Sequence, residues 1–295
     1  MKKISFPLMT AFILMGAIGF VGCDKDDDVD LPPIGGYNSS DEVASANLLA
    51  RFGFEGNFTD SKSGVTGTGN NVTFTQGVRG QAYQGSATGF VSYATTPTGL
   101  AGIQSFTTSM WIKTQKHTGG AQAIFMVPKT GAFWGNMFVM IEGNSGPSDS
   151  MQVKVHFEKN VTPSIPWAEQ WIDFNAANRI PNMYGAWKHL AFTYDAATSK
   201  FNAYVNGQKL TLAANYTDRY NNDPASGGTA LGPLAFTNVD KFIIGGFQNH
   251  LGAPWNAPET WMLNYTGALD ELRIWNKALI DTDITALYQL ELAGR

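Results

Sequence analysis

From about Asn47 the chain is a succession of short apolar runs separated by Gly, Asn, Asp, Ser and Pro. That spacing predicts many strands joined by tight turns. Alternation is cleanest over residues 151–158, where Val153, Val155 and Phe157 fall on one side and Gln152, Lys154, His156 and Glu158 on the other. A strand buried on one face and wet on the other accounts for it. Residues 201–205 run into Asn206-Gly207 and residues 208–212 run out, the pattern of a hairpin closed by a type I′ turn. Further strands are predicted over residues 49–54, 89–94, 106–113, 121–127, 137–142, 187–194, 241–246 and 269–275. Helical spacing is confined to the end of the chain, with Asp281 as a cap and Ile284, Leu287 and Tyr288 as one apolar stripe. Residues 161–186 and 213–234 fit no element, and irregular segments of that length in a β domain tend to be functional or disordered. No fixed period is present, which disfavours blades and solenoids.

Composition fits one large β domain. Hydrophobic residues make up 43% and aromatic residues 13% of 295 positions, enough to fill a core. Charged residues are only 15% and glycines number 32, which disfavours long surface helices. Twenty basic against 24 acidic residues leave a charge of −4, the wrong sign for neutralising phosphates, so no nucleic acid partner is expected.

The single cysteine excludes a disulfide within the chain and a cysteine-based zinc site. Met1-Lys2-Lys3, the apolar stretch 4–21 and Gly22 follow the three-part pattern of a secretory signal over residues 1–22. Gly19-Phe20-Val21-Gly22-Cys23 resembles a bacterial lipobox, which implies lipidation at Cys23 and attachment to a membrane through acyl chains. Residues 23–46, with Asp24, Asp26, Asp27, Asp28 and Asp30 followed by Pro32, Pro33, Gly35 and Gly36, read as a flexible acidic tether. Lys25-Asp26-Asp27-Asp28 resembles the export signal of Sus-type glycan-uptake lipoproteins. That likeness implies an outer membrane lipoprotein facing the cell exterior, with other glycan-uptake proteins as partners. The folded domain is then residues 47–293.

Seven pieces occur in order along that domain: Phe52-Gly53-Phe54-Glu55-Gly56-Asn57 with Asp60-Ser61; Gly80-Gln81-Ala82 with Phe90-Val91; residues 105–113; residues 187–195; residues 201–207; Phe242-Ile243-Ile244-Gly245-Gly246; and residues 267–275. Together they resemble the laminin G-like, concanavalin A-like lectin sandwich of bacterial surface proteins. The resemblance implies an all-β, two-sheet antiparallel jelly-roll sandwich with a short C-terminal helix. Trp111, Trp187, Phe192, Tyr194 and Tyr204 are expected between the two sheets. Loops 130–147, 161–186 and 213–261 exceed the family's compact form and are where specificity would lie.

Family members with glycosidase chemistry carry a Glu-x-Asp-x-(x)-Glu strand, and this chain has none. Glu169 and Asp173 form the nearest carboxylate pair in an unassigned stretch and keep a glycoside hydrolase as an alternative. Neither a nucleophile elbow nor a His-Glu-x-x-His motif nor a phosphate-binding glycine loop occurs. The four histidines lack metal-type spacing, and His156 is expected on a solvent-facing strand surface. Calcium fits better than zinc: oxygen-rich turns carry Glu55, Asn57, Asp60 and Asp270, and pairing of the first and last strands would bring Asp60 and Asp270 together around a cation. The competing reading has Asp60 capping a turn and Asp270 accepting backbone hydrogen bonds.

Sugar binding needs exposed aromatic planes and nearby groups that read hydroxyls. Trp134, Trp167, Trp171, Trp255 and Trp261 lie in or beside the irregular segments, with Asp173, Asn182 and Tyr220 as polar companions. At least three of the five rings are expected to face one depression; the alternative is that each anchors its own loop. The sequence reading is a lipid-anchored, non-catalytic, cell-surface carbohydrate-binding protein for a poly- or oligosaccharide. An adhesion or scaffold protein that binds another protein is the runner-up.

Overall fold

Residues 31–295 are described by a computed structural model; the expected signal peptide, the lipidation site Cys23 and the first part of the tether lie outside the described residues. In chain order the strands are β1 (Leu48–Phe52), β2 (Thr68–Asn70), β3 (Thr73–Gln76), β4 (Gln81–Gln84), β5 (Phe90–Tyr93), β6 (Phe106–Lys113), β7 (Ala121–Val127), β8 (Met137–Ile141), β9 (Val153–Glu158), β10 (Glu169–Asp173), β11 (Lys188–Asp195), β12 (Lys200–Val205), β13 (Gln208–Lys209), β14 (Phe242–Ile244), β15 (Met262–Asn264) and β16 (Ala268–Trp275). A one-turn helix α1 (Ala214–Thr217) and a longer helix α2 (Asp281–Leu292) complete the set. Asn206 and Gly207 both take positive φ, 49° and 74°, as the type I′ turn between β12 and β13 requires.

The strands form two eight-stranded sheets. The first runs β13-β12-β11-β6-β16-β4-β3, with β1 also on β16; the second runs β10-β9-β8-β7-β14-β5-β2, with β15 also on β7. Pairing is antiparallel throughout except between β15 and β7. Alternate residues of both sheets meet between them: Phe52 of β1 stacks on Phe242 of β14 at 5.2 Å, and Phe157 of β9 lies 5.1 Å from Tyr194 of β11. This is the two-layer solution open to sheets that each have an apolar face.

Both outer faces are covered as well, which corrects two expectations. Phe192 and Tyr194 belong to the inter-sheet core, but Trp111 and Tyr204 point outward from the first sheet, beneath α2 and the N-terminal segment, and Trp187 is only half-buried. Strands buried on two faces carry large apolar residues on both, so size alone does not tell inside from outside. The expected tether is also shorter than residues 23–46. From Pro33 the chain belongs to the same compact unit as the sandwich, Val43 is buried, and Trp275 Nε1 donates to its carbonyl oxygen at 3.1 Å.

Helix α2 is held by a buried ion cluster. A bulge in β16 puts Glu271 at φ 45°, a left-handed conformation that costs energy in a non-glycine residue and needs support from its surroundings. Its carboxylate lies 2.7 Å from Arg273 and 2.9 Å from Arg51; burial raises its pKa, but Arg273, Arg51 and Arg79 outweigh that and hold it low. Glu291 of α2 lies 2.9 Å from Arg273 Nε, which Glu271 also contacts, and accepts a hydrogen bond from Trp111 Nε1 at 2.7 Å. Burial pushes this carboxyl up, to about 8, with Arg273 offsetting only part of the shift. His189, beside Ser109 Oγ at 2.7 Å, is pushed down to about 3 by burial and then by Arg273. Asp281 does not cap the helix. Ile280 occupies the N-cap position without a side-chain hydrogen bond, while the Asp281 carboxylate accepts from Tyr204 Oη at 2.7 Å and ties β12 to the first helical turn.

A carboxyl that holds its proton more tightly folded than unfolded stabilises the fold at low pH and loses that contribution as pH rises through its folded pKa. Urea unfolding between about pH 5 and about pH 8.5 is therefore expected to show the wild type losing stability relative to Glu291→Gln, which still accepts from Trp111. Stability differences independent of pH would contradict this role for Glu291.

Candidate functional site

The outer face of the second sheet is built by the register of three strands. Trp171 of β10, His156 of β9 and Phe138 of β8 lie opposite one another in one row, and Asp173, Lys154 and Met140 form the next row. Side chains of period two put all six on the same face, while Ile172, Val155 and Val139 enter the core. This face is not wet at its centre: His156 and Glu158 are 0% and 1% exposed, against the expectation of a solvent-facing histidine. His156 stacks on Phe138 at 4.7 Å and meets Trp171 at 4.4 Å, and its Nε2 lies 3.3 Å from Glu158. Burial raises the Glu158 pKa, but His156, Lys129 Nζ at 2.6 Å and Asn160 bring it below the ordinary carboxylate range.

Two loops supply the cover. The segment after β7 is pinned by Gln248, whose Oε1 accepts from Lys129 N at 2.8 Å and whose Nε2 donates to the carbonyls of Ala132 and Phe133. That places Trp134 5.6 Å from Phe138, stacked, and 4.9 Å from Trp171 at an interplanar angle of 78°. From the other side comes Trp261, just before β15, 5.8 Å from Trp134 at 45°. Gly120 lets it approach: Ala121 N donates to the Trp261 carbonyl oxygen at 2.8 Å, and a Cβ at Gly120 would stand 1.8 Å from that oxygen. Only glycine permits this contact.

Between these rings lies a depression of about 570 Å³, lined by Trp134, Trp171, Trp261 and Met140 on its apolar sides and by Glu142, Lys154 and Asp173 at a polar end. The three tryptophans are half-buried, so each ring is anchored on one side and accessible on another. Lys154 Nζ lies 2.6 Å from Glu142 Oε1 and 3.7 Å from Asp173 Oδ2. Gln152 Nε2 donates to Asp173 Oδ1 at 2.8 Å and is itself held by Arg179 at 2.8 Å. The depression is of the size that small ligands occupy, apolar with a few convergent polar groups.

Of the five tryptophans singled out from the sequence, Trp134, Trp171 and Trp261 line this depression, together with Asp173. Trp255 does not: it is 8% exposed, with the Lys241 ammonium 6.0 Å over its ring. Trp167 is 41% exposed but lies elsewhere, where its backbone N–H donates to Asn221 and Gln170 bonds the carbonyls of both Trp167 and Tyr220. Tyr220 thus shares that loop pair rather than the depression. Asn182 takes a left-handed φ of 57° in an exposed turn, its N–H donating to Asp149. The calcium site expected at Asp60 and Asp270 is not assembled. Asp60 accepts from the backbone of Lys62 and Ser63 in its own turn and of Arg51 in β1, and Asp270 from that of Glu271 beside it and of Val78 and Arg79 in the turn between β3 and β4, so each carboxylate is taken up by backbone N–H groups. Among the described residues no group of three or more His, Cys, Asp or Glu is arranged to hold a metal.

Glu169 and Asp173 sit at the two ends of β10, four residues apart on one face. At about 3.3 Å per residue their Cα atoms are roughly 13 Å apart, and the Asp173 carboxylate accepts from Gln152. Glu169 instead accepts from Trp171 Nε1 at 3.3 Å. Sequence reasoning missed Glu142, Lys154, Met140 and the Gly119-Gly120 pair as lining residues. Lys154 stood on the polar side of the cleanest alternation; what was not visible was which residues the neighbouring strands set beside it.

Two face-packed antiparallel sheets with an aromatic depression on one outer face define a concanavalin-type β-sandwich. The chain belongs to the concanavalin A-like lectin/glucanases superfamily, whose Laminin_G_3 family model matches residues 88–285. Among solved structures it is similar to domain 4 of AbnA, a GH43 extracellular arabinanase from Geobacillus stearothermophilus, in complex with arabinotriose: 20% identity, 82% of this chain, 98% of that one, TM-score 0.51. It is also similar to the receptor-binding domain of botulinum neurotoxin type G, at 15% identity and TM-score 0.52 over 83% of this chain and 51% of that one. The binding domain of botulinum neurotoxin DC in complex with SialylT matches at 15% identity and TM-score 0.52, over 85% and 52%. The chain thus spans about half the length of these toxin domains, and likeness at such identity establishes the fold alone. Curated proteins give no match.

Gly120→Ala is expected to displace the Trp261 segment and lower stability by roughly 2 kcal/mol, as overpacking at a closed contact does. Urea midpoints and near-ultraviolet circular dichroism measure both effects; unchanged values would mean that the close approach does not position Trp261.

Proposed function

We propose that this protein is a non-catalytic carbohydrate-binding module that captures a poly- or oligosaccharide at the depression on its second sheet. The observation that carries this reading is the convergence of Trp134, Trp171 and Trp261 from three separate segments onto one depression with Glu142, Lys154 and Asp173 at its end. Indole faces stack on the C–H face of a sugar ring, and carboxylates and an ammonium exchange hydrogen bonds with its hydroxyls. The superfamily and the arabinotriose complex of the AbnA domain support the same ligand chemistry. The proposal extends to location: the signal-like start, the lipobox-like Gly19–Cys23 and the acidic residues after it support a lipoprotein anchored through Cys23 and displayed on the outer face of a bacterial cell, beside other glycan-uptake components.

In affinity gels containing soluble polysaccharides, the wild-type domain is expected to be retarded by at least one glycan. Trp171→Ala or Trp261→Ala should weaken that binding at least about tenfold, equivalent to about 1.4 kcal/mol, while Trp167→Ala should not. Absence of retardation on every glycan would contradict capture and favour a protein ligand. In cells, Cys23→Ala is expected to abolish incorporation of labelled palmitate, and undiminished labelling would refute the anchor.

A further inference from the structure

Resting on the glycan-binding reading, we infer that the depression selects a neutral, soluble glycan chain and rejects both uronic acid polymers and flat crystalline polysaccharide. The charge inventory of its lining carries the first half. Glu142 and Asp173 contribute two carboxylates and Lys154 one ammonium, and no other charged side chain lines the depression. Two guanidiniums near the lining are both engaged, Arg179 with Gln152 and Arg219 with the backbone carbonyls of Asn215, Asp218 and Trp171, and the next acid along β10, Glu169, lies two residues from Trp171 and accepts from its indole. A uronate seated on the tryptophans would bring its carboxylate against an acidic rim whose lysine is already shared between two partners, 2.6 Å and 3.7 Å away. The chain's net charge of −4 adds a field of the same sign. A cationic sugar is no better served, because Lys154 occupies the place between the acids that its ammonium would take. Hydroxyls fit: the carboxylate lone pairs not used by Lys154 and Gln152 accept O–H groups, and Lys154 donates to a ring or hydroxyl oxygen.

Ring geometry carries the second half. A flat crystalline surface is gripped by coplanar aromatic plates in a line. Here Trp171 stands at 78° and Trp261 at 45° to Trp134, so the three planes form a corner. A corner encloses one or two units of a bent, solvated chain and cannot lie flush on a sheet of parallel chains.

The test sets the wild-type domain in affinity gels against soluble galactomannan, arabinan and mixed-linkage β-glucan, against polygalacturonate and alginate, and in pull-downs against microcrystalline cellulose. Expected is retardation by at least one neutral polymer, binding at least about tenfold weaker to both polyuronides, and none to cellulose. In Glu142→Gln/Asp173→Asn the lone Lys154 makes the lining positive. This variant should lose at least about tenfold on the neutral polymer and gain retardation by polygalacturonate; its melting curve checks the fold, and Asp173→Asn alone should shift both values the same way. Polyuronide binding by the wild type as tight as neutral binding, capture on cellulose, or a double variant with unchanged preference would overturn the inference while leaving glycan capture standing. Failure of the wild type to bind any polymer would overturn both.

Discussion

The register of β8, β9 and β10 is the constraint from which the site follows. It is fixed from inside, because Val139, Val153, Val155, Phe157 and Ile172 must all face the core between the sheets. A slip of one residue would turn every one of them outward, so the core specifies the pairing strongly. Once it does, the opposite face has no freedom: Trp171, His156 and Phe138 share one row and Asp173, Lys154 and Met140 the next. The aromatic floor and the polar end of the depression are thus the reverse side of the hydrophobic core.

The two outer faces are finished differently, and the difference locates function. On the first sheet α2 and the N-terminal segment close over Trp111, Tyr204 and Trp275, and an ion cluster centred on Arg273 joins helix to sheet. Buried charges cost desolvation and are tolerated when they are paired: the Arg273 guanidinium is bonded by Glu271, Asp41 and Ser40, while Glu291, whose carboxyl is kept protonated to higher pH by burial, lies against it and accepts from Trp111. On the second sheet the cover comes from loops held by single polar anchors, Gln248 for the Trp134 segment and the glycine contact for the Trp261 segment. These loops leave an apolar concavity rimmed by charge, a feature a self-sufficient core does not need.

Much of the fold was legible because long strands alternate or run apolar throughout. β6 and β7 match their predicted spans, and the β12–β13 hairpin has the turn that Asn206-Gly207 announces. The strands that escaped, β2, β3, β4, β10 and β15, are short, and in β10 burial also contradicts polarity: Gln170 is buried while Trp171 is half-exposed. The ring-bearing part of the site was partly legible, since tryptophans outside the strand pattern stand out, yet nothing local separates Trp134 from Trp255, which differ only in what the distant chain lays over them. Glu142 and Lys154 were illegible as a pair because they meet across two strands, through pairing that sequence order does not encode. The Asp60 and Asp270 carboxylates misled for a related reason: oxygen-rich stretches look alike whether they hold a cation or backbone N–H groups, which for Asp270 come from the distant residues Val78 and Arg79.

Eight tryptophans give eight indole N–H resonances, and a nitrogen–proton correlation spectrum reads each ring separately. Titrated with a soluble neutral oligosaccharide, the resonances of Trp134, Trp171 and Trp261 should shift together along one saturation curve while those of Trp111, Trp167, Trp187, Trp255 and Trp275 stay in place. Movement of Trp167 or Trp255 with the three depression indoles unmoved, or no movement of any, would contradict a sugar site on the outer face of the second sheet.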